Sequence, residues 1–379
     1  MSALADVVVI GGGAIGCSAA LALAKRGRGV RVLERAHPGA EASSAAAGIL
    51  GAYAEAHDNG PLTQLFIKSL HLYTAWTSAL TEATGIDTGY RPSGSMRVYT
   101  DEAAFQTAAA EGAALFANAA QLLDARAARE AEPLLSANVC GALLFPADCR
   151  IDPPALVRAI EGAARRAGVS FDPPGEATRI LTEGDRVTGV QLASGDTVYT
   201  SHVVLCAGAW SLLPGSGLTK GEIEPIRGQM IELRTASPFA HERGRALDHV
   251  VFGPRAYLSP RDDGRIIVGS TAEHVGFRKA VTVRGIGGLL DGVRELFPSL
   301  GEAEIAKTWA GLRPATPDGG PLLGFGASRG LVVAAGHYRN GILLAPITAE
   351  IVASLVHNET PSVPLAPFAV DRFKRRDNG

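Results

Sequence analysis

The chain has little of what marks several protein classes. It carries only four cysteines in 379 residues, Cys17, Cys140, Cys149 and Cys206, and none of them makes a C-x-x-C pair. Neither a zinc ribbon nor a disulfide-stapled scaffold therefore accounts for the fold. A Cys140–Cys149 disulfide stays open, but without an export signal the expectation is reduced thiols in a cytoplasmic protein. The nine histidines do not cluster with the cysteines, so no metal site is expected. Charge of one sign is also missing: 36 Lys and Arg against 38 Asp and Glu leave a net charge of -2, no electrostatic basis for binding nucleic acid or an anionic membrane. No uninterrupted apolar run has the length of a membrane span, and residues 7–24, with no basic residue before them and with glycines interrupting them, do not read as a secretory leader. A 46% hydrophobic and 20% charged chain is left, able to bury a sizeable core and suited to a small-molecule partner.

What the chain does have is a strand, a glycine turn and a helix in immediate succession. Val7–Ile10 is an apolar, β-branched run that reads as a buried parallel strand, and it leads into Gly11-Gly12-Gly13-Ala14-Ile15-Gly16 and an Ala/Leu-rich helical segment. In this pattern Gly11 permits the turn, Gly13 lets a pyrophosphate approach the backbone and Gly16 lets the helix pack on the strand. The free N–H groups of the helix start face the phosphate charge. A second strand, Val30–Leu33, ends in Glu34, about 20 residues after the glycines, where a carboxylate accepts hydrogen bonds from ribose hydroxyls. The unit is an adenine dinucleotide site, and alone it does not choose between nicotinamide and flavin. Further on, the small side chains of Ser43-Ser44-Ala45-Ala46-Ala47-Gly48-Ile49-Leu50-Gly51 either let backbone approach a bulky ligand, with two serine hydroxyls for phosphate, or form an ordinary capped turn.

Periodicity predicts a helix over 62–84 ending at Gly85, a strand over 94–100 and a second helix over 101–123. A helix over 154–167 and short strands at 169–171, 177–181 and 187–192 follow. The apolar strand 202–206, running into Gly208, is expected to rejoin the sheet begun by Val7–Ile10. Residues 224–233, 257–260 and 265–268 read as strands of a second, largely antiparallel sheet, closed by a helix over 285–297. A strand at 308–312 leads to a turn-rich loop presenting Arg313. After a strand at 331–335 comes a last helix to about residue 356, and the charged tail from Asp371 is expected to fray.

Three stretches, GGGAIG with Glu34, SSAAAGILGA, and WAGLRPATPDG followed by GHYRNGILLAP, resemble the D-amino-acid-oxidase-like family of FAD-dependent amine oxidoreductases, and within it the glycine oxidases of bacterial thiamine biosynthesis. The resemblance covers residues 6–365. It implies an α/β plus α+β fold: a Rossmann-like FAD-binding domain formed by 1–55, 145–220 and 310–365, a substrate domain built on an antiparallel sheet from 56–144 and 221–309, and a tail, 366–379. By this likeness Gly11, Gly13, Ala14, Ile15 and Gly16 meet the pyrophosphate, Glu34 holds the ribose and Arg35 borders the adenine. Ala42, Ser43, Ser44, Ala47, Gly48 and Ile49 line the flavin and phosphate side, with Ala177 and Gly208 as further cofactor contacts. His337, Tyr338, Arg339, Asn340, Gly341, Ile342 and Leu343 form the turn that meets the flavin ring. Arg313 matches the substrate-carboxylate arginine, and Tyr257 and Arg339 match further active-site positions. No cysteine stands near Arg313 to tether flavin, so FAD is expected to be noncovalent. The sequence departs from the family pattern at Ile49, where methionine is familiar, and at Arg255, where histidine is; both positions are expected to border the substrate.

Removing hydride from an amino-acid Cα is chiefly a demand on positioning, and the planar fork of an arginine suits the substrate carboxylate. The alternative for Arg313 is a surface ion pair, and for Tyr257 a core tyrosine with its hydroxyl at the rim. His337 is not expected to act as a base, since its turn works through backbone N–H groups. The resulting expectation is oxidation of glycine, sarcosine or D-alanine with oxygen as acceptor, in a homo-oligomer. A D-amino-acid dehydrogenase passing electrons to a quinone is the alternative within the family, and a nicotinamide dehydrogenase or a noncatalytic flavin-binding module the alternatives outside it.

Overall fold

The computed structural model describes residues 5–116, 119–235 and 246–374. Val7–Ile10 is a strand with all four side chains buried, as a continuous apolar run requires when both faces of a sheet are covered. It lies between Val30–Leu33 and Val203–Leu205, parallel to both, with Val8 opposite Arg31 on one side and Val203 on the other. Ser170–Asp172 and Leu331–Ala335 extend the sheet in parallel, and Leu322–Phe325 closes it antiparallel. The nucleotide sheet is thus assembled from segments far apart in sequence, as the apolar strand before Gly208 led us to expect.

One face of this sheet is covered by helices Ala14–Lys25, Pro153–Arg166 and Ala345–Val356, which share a core with Val7, Val9 and Val32. Helix Pro61–Thr84 buries Leu65, Phe66, Leu70, Tyr73 and Leu80 in the same core. The other face packs on a three-stranded antiparallel sheet of Ala177–Glu183, Arg186–Leu192 and Thr197–Tyr199, through Ile180, Val187, Val190 and Val198.

A second, eight-stranded sheet runs in the order Glu304–Ala315, Glu224–Arg234, Arg265–Gly269, Tyr257–Pro260, Val250–Phe252, Ser95–Tyr99, Gly141–Phe145 and Gln121–Asp124. Its pairings are antiparallel except that between Val250–Phe252 and Ser95–Tyr99. Helix Val283–Leu296 covers its back through Leu289, Val293 and Leu296.

Three expectations are corrected. The helix expected over 101–123 is Glu102–Phe116; residues 117–118 lie outside the described residues, and Gln121–Asp124 is a strand with Leu122 opposite Leu143. Asp124 then caps a short helix beyond the expected run, Ala125–Ala131, by accepting the Ala127 N–H at 2.7 Å. The strand expected over 308–312 is longer, Glu304–Ala315, and Arg313 stands on it opposite Ile226 rather than in the loop that follows. The start of the tail is held in place: Arg372 pairs with Asp318 at 2.8 Å and Lys374 donates to the Gly217 carbonyl. Residues 375–379 lie outside the described residues.

Candidate active site

A cavity of about 770 Å³ lies at the carboxyl ends of the parallel strands, where Ile10, Leu33, Cys206 and Ala335 line it. That crevice, beside a strand whose neighbours continue in opposite directions across the sheet, is where open α/β sheets bind ligands. Gly228, Met230, Tyr257 and Arg313 of the eight-stranded sheet line the same cavity.

The glycine turn has the geometry its sequence requires. Gly11 has φ +101, a conformation that side chains disfavour, and a Cβ there would stand 2.5 Å from the Cys206 carbonyl oxygen. A Cβ on Gly16 would stand 1.9 Å from the Gly11 oxygen, so Gly16 permits helix and turn to pack and does not itself line the cavity. Gly13 is different: a Cβ there would meet only the Ser43 hydroxyl, at 3.1 Å, and Gly13, Ala14 and Ile15 face the cavity. The Ser43 hydroxyl accepts the Ala14 N–H at 2.9 Å at the start of the helix.

Glu34 is buried and fixed by backbone: Oε2 accepts the Gly12 N–H at 2.8 Å and Oε1 the Ala36 N–H at 3.0 Å. The next residue, Arg35, lays its guanidinium over Trp210 and pairs with Glu41 at 2.5 Å. Ala42, Ala47, Gly48, Ile49, Ala177 and Gly208 complete this side of the lining. Ser44 does not reach the cavity.

Arg313 is held from behind. Its Nη1 donates to the Thr271 carbonyl at 3.0 Å and its Nη2 to the Ser270 hydroxyl, while the guanidinium lies over Gly228, where a Cβ would come within 2.2 Å of it. Tyr257 points its hydroxyl to the Met230 sulfur at 3.6 Å, and these two with Ala47, Ile49 and Ile267 form an apolar wall. Arg339 sits with Nε 3.5 Å from Glu55, whose charge raises the arginine pKa further. Arg255 does not line the cavity, contrary to expectation; it is exposed and faces Glu295 at 3.6 Å.

The turn after Leu331–Ala335 meets the cavity through His337, Tyr338, Arg339, Gly341 and Ile342. Asn340 and Leu343 do not line it: the Asn340 carbonyl accepts the Leu344 N–H at 2.8 Å, and Leu343 is fully buried in the helical core. The Tyr338 N–H donates to the Pro314 carbonyl at 2.8 Å, tying this turn to the strand of Arg313. His337 is buried with Nε2 3.1 Å from the Thr348 hydroxyl, and burial pushes its pKa down to about 3, which makes it a poor acceptor of protons.

Sequence reasoning missed Glu41, Glu55, Trp210, Met230, Ser270 and Phe277, all of which line the cavity. Ser270 and Phe277 come from a single loop, and no local pattern marked it. The four cysteines are unbonded, and among the described residues no group of three or more His, Cys, Asp or Glu converges on a metal-sized site. Among the described residues no helix is long and apolar enough to cross a membrane.

Comparison with known proteins agrees with this geometry. Residues 6–355 match the family described as DAO, FAD dependent oxidoreductase. A bifunctional protein ThiO/ThiG of Nostoc is 37% identical over 98% of the chain, which spans 55% of that relative's length, so the chain covers about half of such bifunctional proteins. A glycine oxidase of Geobacillus kaustophilus is 35% identical over 97% of both chains. The crystal structure of glycine oxidase from that organism superposes with a TM-score of 0.90, covering 97% of this chain and 98% of that one at 34% identity. A Rossmann-type crevice, an antiparallel sheet that brings an arginine into it, and a match over nearly the whole length lead to one assignment: the chain belongs to the DAO family of FAD-dependent oxidoreductases.

Proposed function

We propose that the chain oxidises glycine and other small amino acids such as sarcosine and D-alanine. In this reading the substrate loses a hydride from Cα and a proton from nitrogen as its Cα–N bond becomes a C=N bond. The imine is hydrolysed to a 2-oxo acid and ammonia, or methylamine from sarcosine, and the two electrons and two protons reduce oxygen to hydrogen peroxide. The observation that carries the reading is the presence of Arg313, held by Thr271 and Ser270, in the same cavity as Glu34 and the glycine turn.

The residues present fit noncovalent FAD. The open approach over Gly13, the helix start at Ala14 and the buried Glu34 carboxylate form a cradle for the pyrophosphate and ribose, and the turn from His337 to Ile342 faces the same space. When bound, the flavin supplies a two-electron acceptor for the substrate Cα hydrogen. The protein's own part is to bind, orient and exclude water. Arg313 offers its remaining N–H groups to the substrate carboxylate as a planar fork, and Tyr257 stands at the rim of the same region. The wall of Met230, Ile49 and Tyr257 keeps the reacting carbon in apolar surroundings. Neutral His337 leaves proton removal to the amine, which reacts in its unprotonated form.

The likeness to glycine oxidases and to ThiO/ThiG proteins supports this substrate class and a place in thiazole formation for thiamine. Four unbonded thiols support a cytoplasmic protein. Glu304 to Thr308, exposed at the outermost strand of the large sheet, support pairing with a second copy in a homo-oligomer, which light scattering tests. The deciding experiment is anaerobic addition of glycine, sarcosine and D-alanine to the purified yellow protein. Bleaching of the flavin, and peroxide release on admitting oxygen, are the expected results. A flavin that stays oxidised with all three rejects the reading.

A further inference from the structure

The loop behind Arg313 is clamped by a polar network on the opposite face of the sheet. Gly269 pairs with Met230 and Glu273 pairs with Arg227, so four steps along one strand face three along the other, and the ladder bulges between them. The bulge turns the Thr271 carbonyl and the Ser270 hydroxyl toward Arg313 on the cavity side. On the far side, Glu273 accepts hydrogen bonds from Arg227, from the Gln229 amide at 2.7 Å and from the Thr271 hydroxyl at 2.6 Å. Thr271 also accepts the Gln229 N–H at 2.9 Å, and Gln229 in turn holds Thr282 at the start of the covering helix. Arg227 and Gln229 are buried, and neither lines the cavity.

We infer that Glu273, with Arg227, is a positioning residue for Arg313: the carboxylate fixes the bulge whose carbonyl and hydroxyl aim the guanidinium at the substrate carboxylate. This rests on the proposed amino-acid oxidase activity. Burial raises the Glu273 pKa, but the hydrogen bonds from Arg227, Thr271 and Gln229 outweigh it and hold the group at about 2, so the clamp stays charged across the working pH range. A neutral or shortened side chain at 273 frees Thr271 and lets Arg313 swing out of line without touching the nucleotide end of the cavity.

The test uses the FAD-loaded protein with Glu273→Gln, Glu273→Ala and Thr271→Val. Anaerobic flavin bleaching gives the half-saturating glycine concentration and the limiting rate, fluorescence titration gives FAD affinity, and thermal melting reports the fold. The expected result is a half-saturating concentration raised about tenfold in Glu273→Ala, which corresponds to ~1.4 kcal/mol, with limiting rate and FAD affinity close to wild type and a lowered melting temperature, because the buried Arg227 loses its carboxylate partner. In an Arg313→Lys background the Glu273 change is expected to add less than about twofold, because both act through one arm. If Glu273→Ala does not fold, Thr271→Val cuts the same link and is read in the same way. An unchanged half-saturating concentration, full additivity with Arg313→Lys, or a parallel fall in FAD affinity overturns the inference. A wild-type protein that does not bleach with any amino acid rejects the activity, and the inference falls with it; a bleaching wild type beside an unaffected variant rejects the inference alone.

Discussion

The Arg35 guanidinium lies 3.7 Å from the centre of the Trp210 ring, at the end of the second strand of the nucleotide sheet. Phe277 packs against Trp210 with ring centres 5.3 Å apart and planes tilted by 36°, and Lys279, two residues further on, pairs with Glu41 at 2.9 Å while Glu41 also holds Arg35. The loop that follows Arg265–Gly269 of the eight-stranded sheet is thereby fastened beside the nucleotide sheet, where Trp210 and Phe277 both line the cavity. Polar contacts of this exposed kind contribute little alone, and the ring contact contributes more.

Phe277→Ala is therefore expected to loosen FAD retention by a factor of about 2 to 12, the equivalent of ~0.5–1.5 kcal/mol for an aromatic pair. Lys279→Ala is expected to have a smaller effect. Flavin release after dilution, followed by the recovery of flavin fluorescence, measures both. Equal release from wild type and Phe277→Ala would show that the loop does not retain the cofactor.

Arg313→Ala is expected to keep its flavin, because Arg313 touches Thr271, Ser270 and the space over Gly228 rather than the glycine turn. Catalytic efficiency on glycine should fall at least about 100-fold, ~2.7 kcal/mol, since an oriented charge-assisted pair is lost. Peroxide release and the flavin absorbance of the same sample check the two halves of this statement. Near-normal efficiency on glycine would remove Arg313 from the substrate site.

Gly13 and Gly16, three residues apart, are expected to fail differently. A side chain on Gly16 runs into the Gly11 carbonyl at 1.9 Å, so Gly16→Val should cost the fold. A side chain on Gly13 meets only the Ser43 hydroxyl and the open cavity, so Gly13→Val should fold and lose at least about tenfold in FAD affinity, ~1.4 kcal/mol. Circular dichroism with flavin titration separates them, and a fully yellow Gly13→Val would contradict the proposed phosphate cradle.

The parts of this architecture that could be read from sequence are those whose cause is local. Val7–Ile10 and Leu331–Ala335 emerge as strands at their expected bounds because continuous apolar runs flanked by glycine or turn residues leave few other choices. Gln121–Asp124 was misread because most of it is exposed and its strand character comes from pairing with Gly141–Phe145, a partner the local pattern does not contain. Prolines 225 and 314 face one another where two strands run on, so the turn signal at Arg313-Pro314 misled. The clamp behind Arg313 was missed for the same kind of reason. Arg227 and Gln229 stand in a strand that also carries Glu224, Glu232 and Arg234, so no local sign sets them apart, and their partner Glu273 is brought to them only by the fold.

Two buried groups set opposite slopes in the dependence of stability on pH. Burial lowers His337 to about 3 from an ordinary 6.5, so the unfolded chain binds a proton in that window that the folded chain does not, and stability present above pH 6.5 is lost as pH falls toward 3. Asp148 is fully buried and is raised to about 7 by that burial, against the opposing hydrogen bonds of the Tyr53 and Ala54 N–H groups. The folded state there holds a proton that the unfolded state releases above 3.8, so its contribution is full below that value and is lost as pH rises through 7. His337→Asn is expected to flatten the acid side of the stability curve, and Asp148→Asn the side approaching pH 7, because an amide keeps an acceptor for one backbone N–H without a charge to bury. Urea midpoints from pH 4 to 8 measure both slopes. A wild-type slope retained on the acid side in His337→Asn would mean that the imidazole takes up its proton as readily in the folded as in the unfolded chain, which would reopen it as a proton carrier at the cavity.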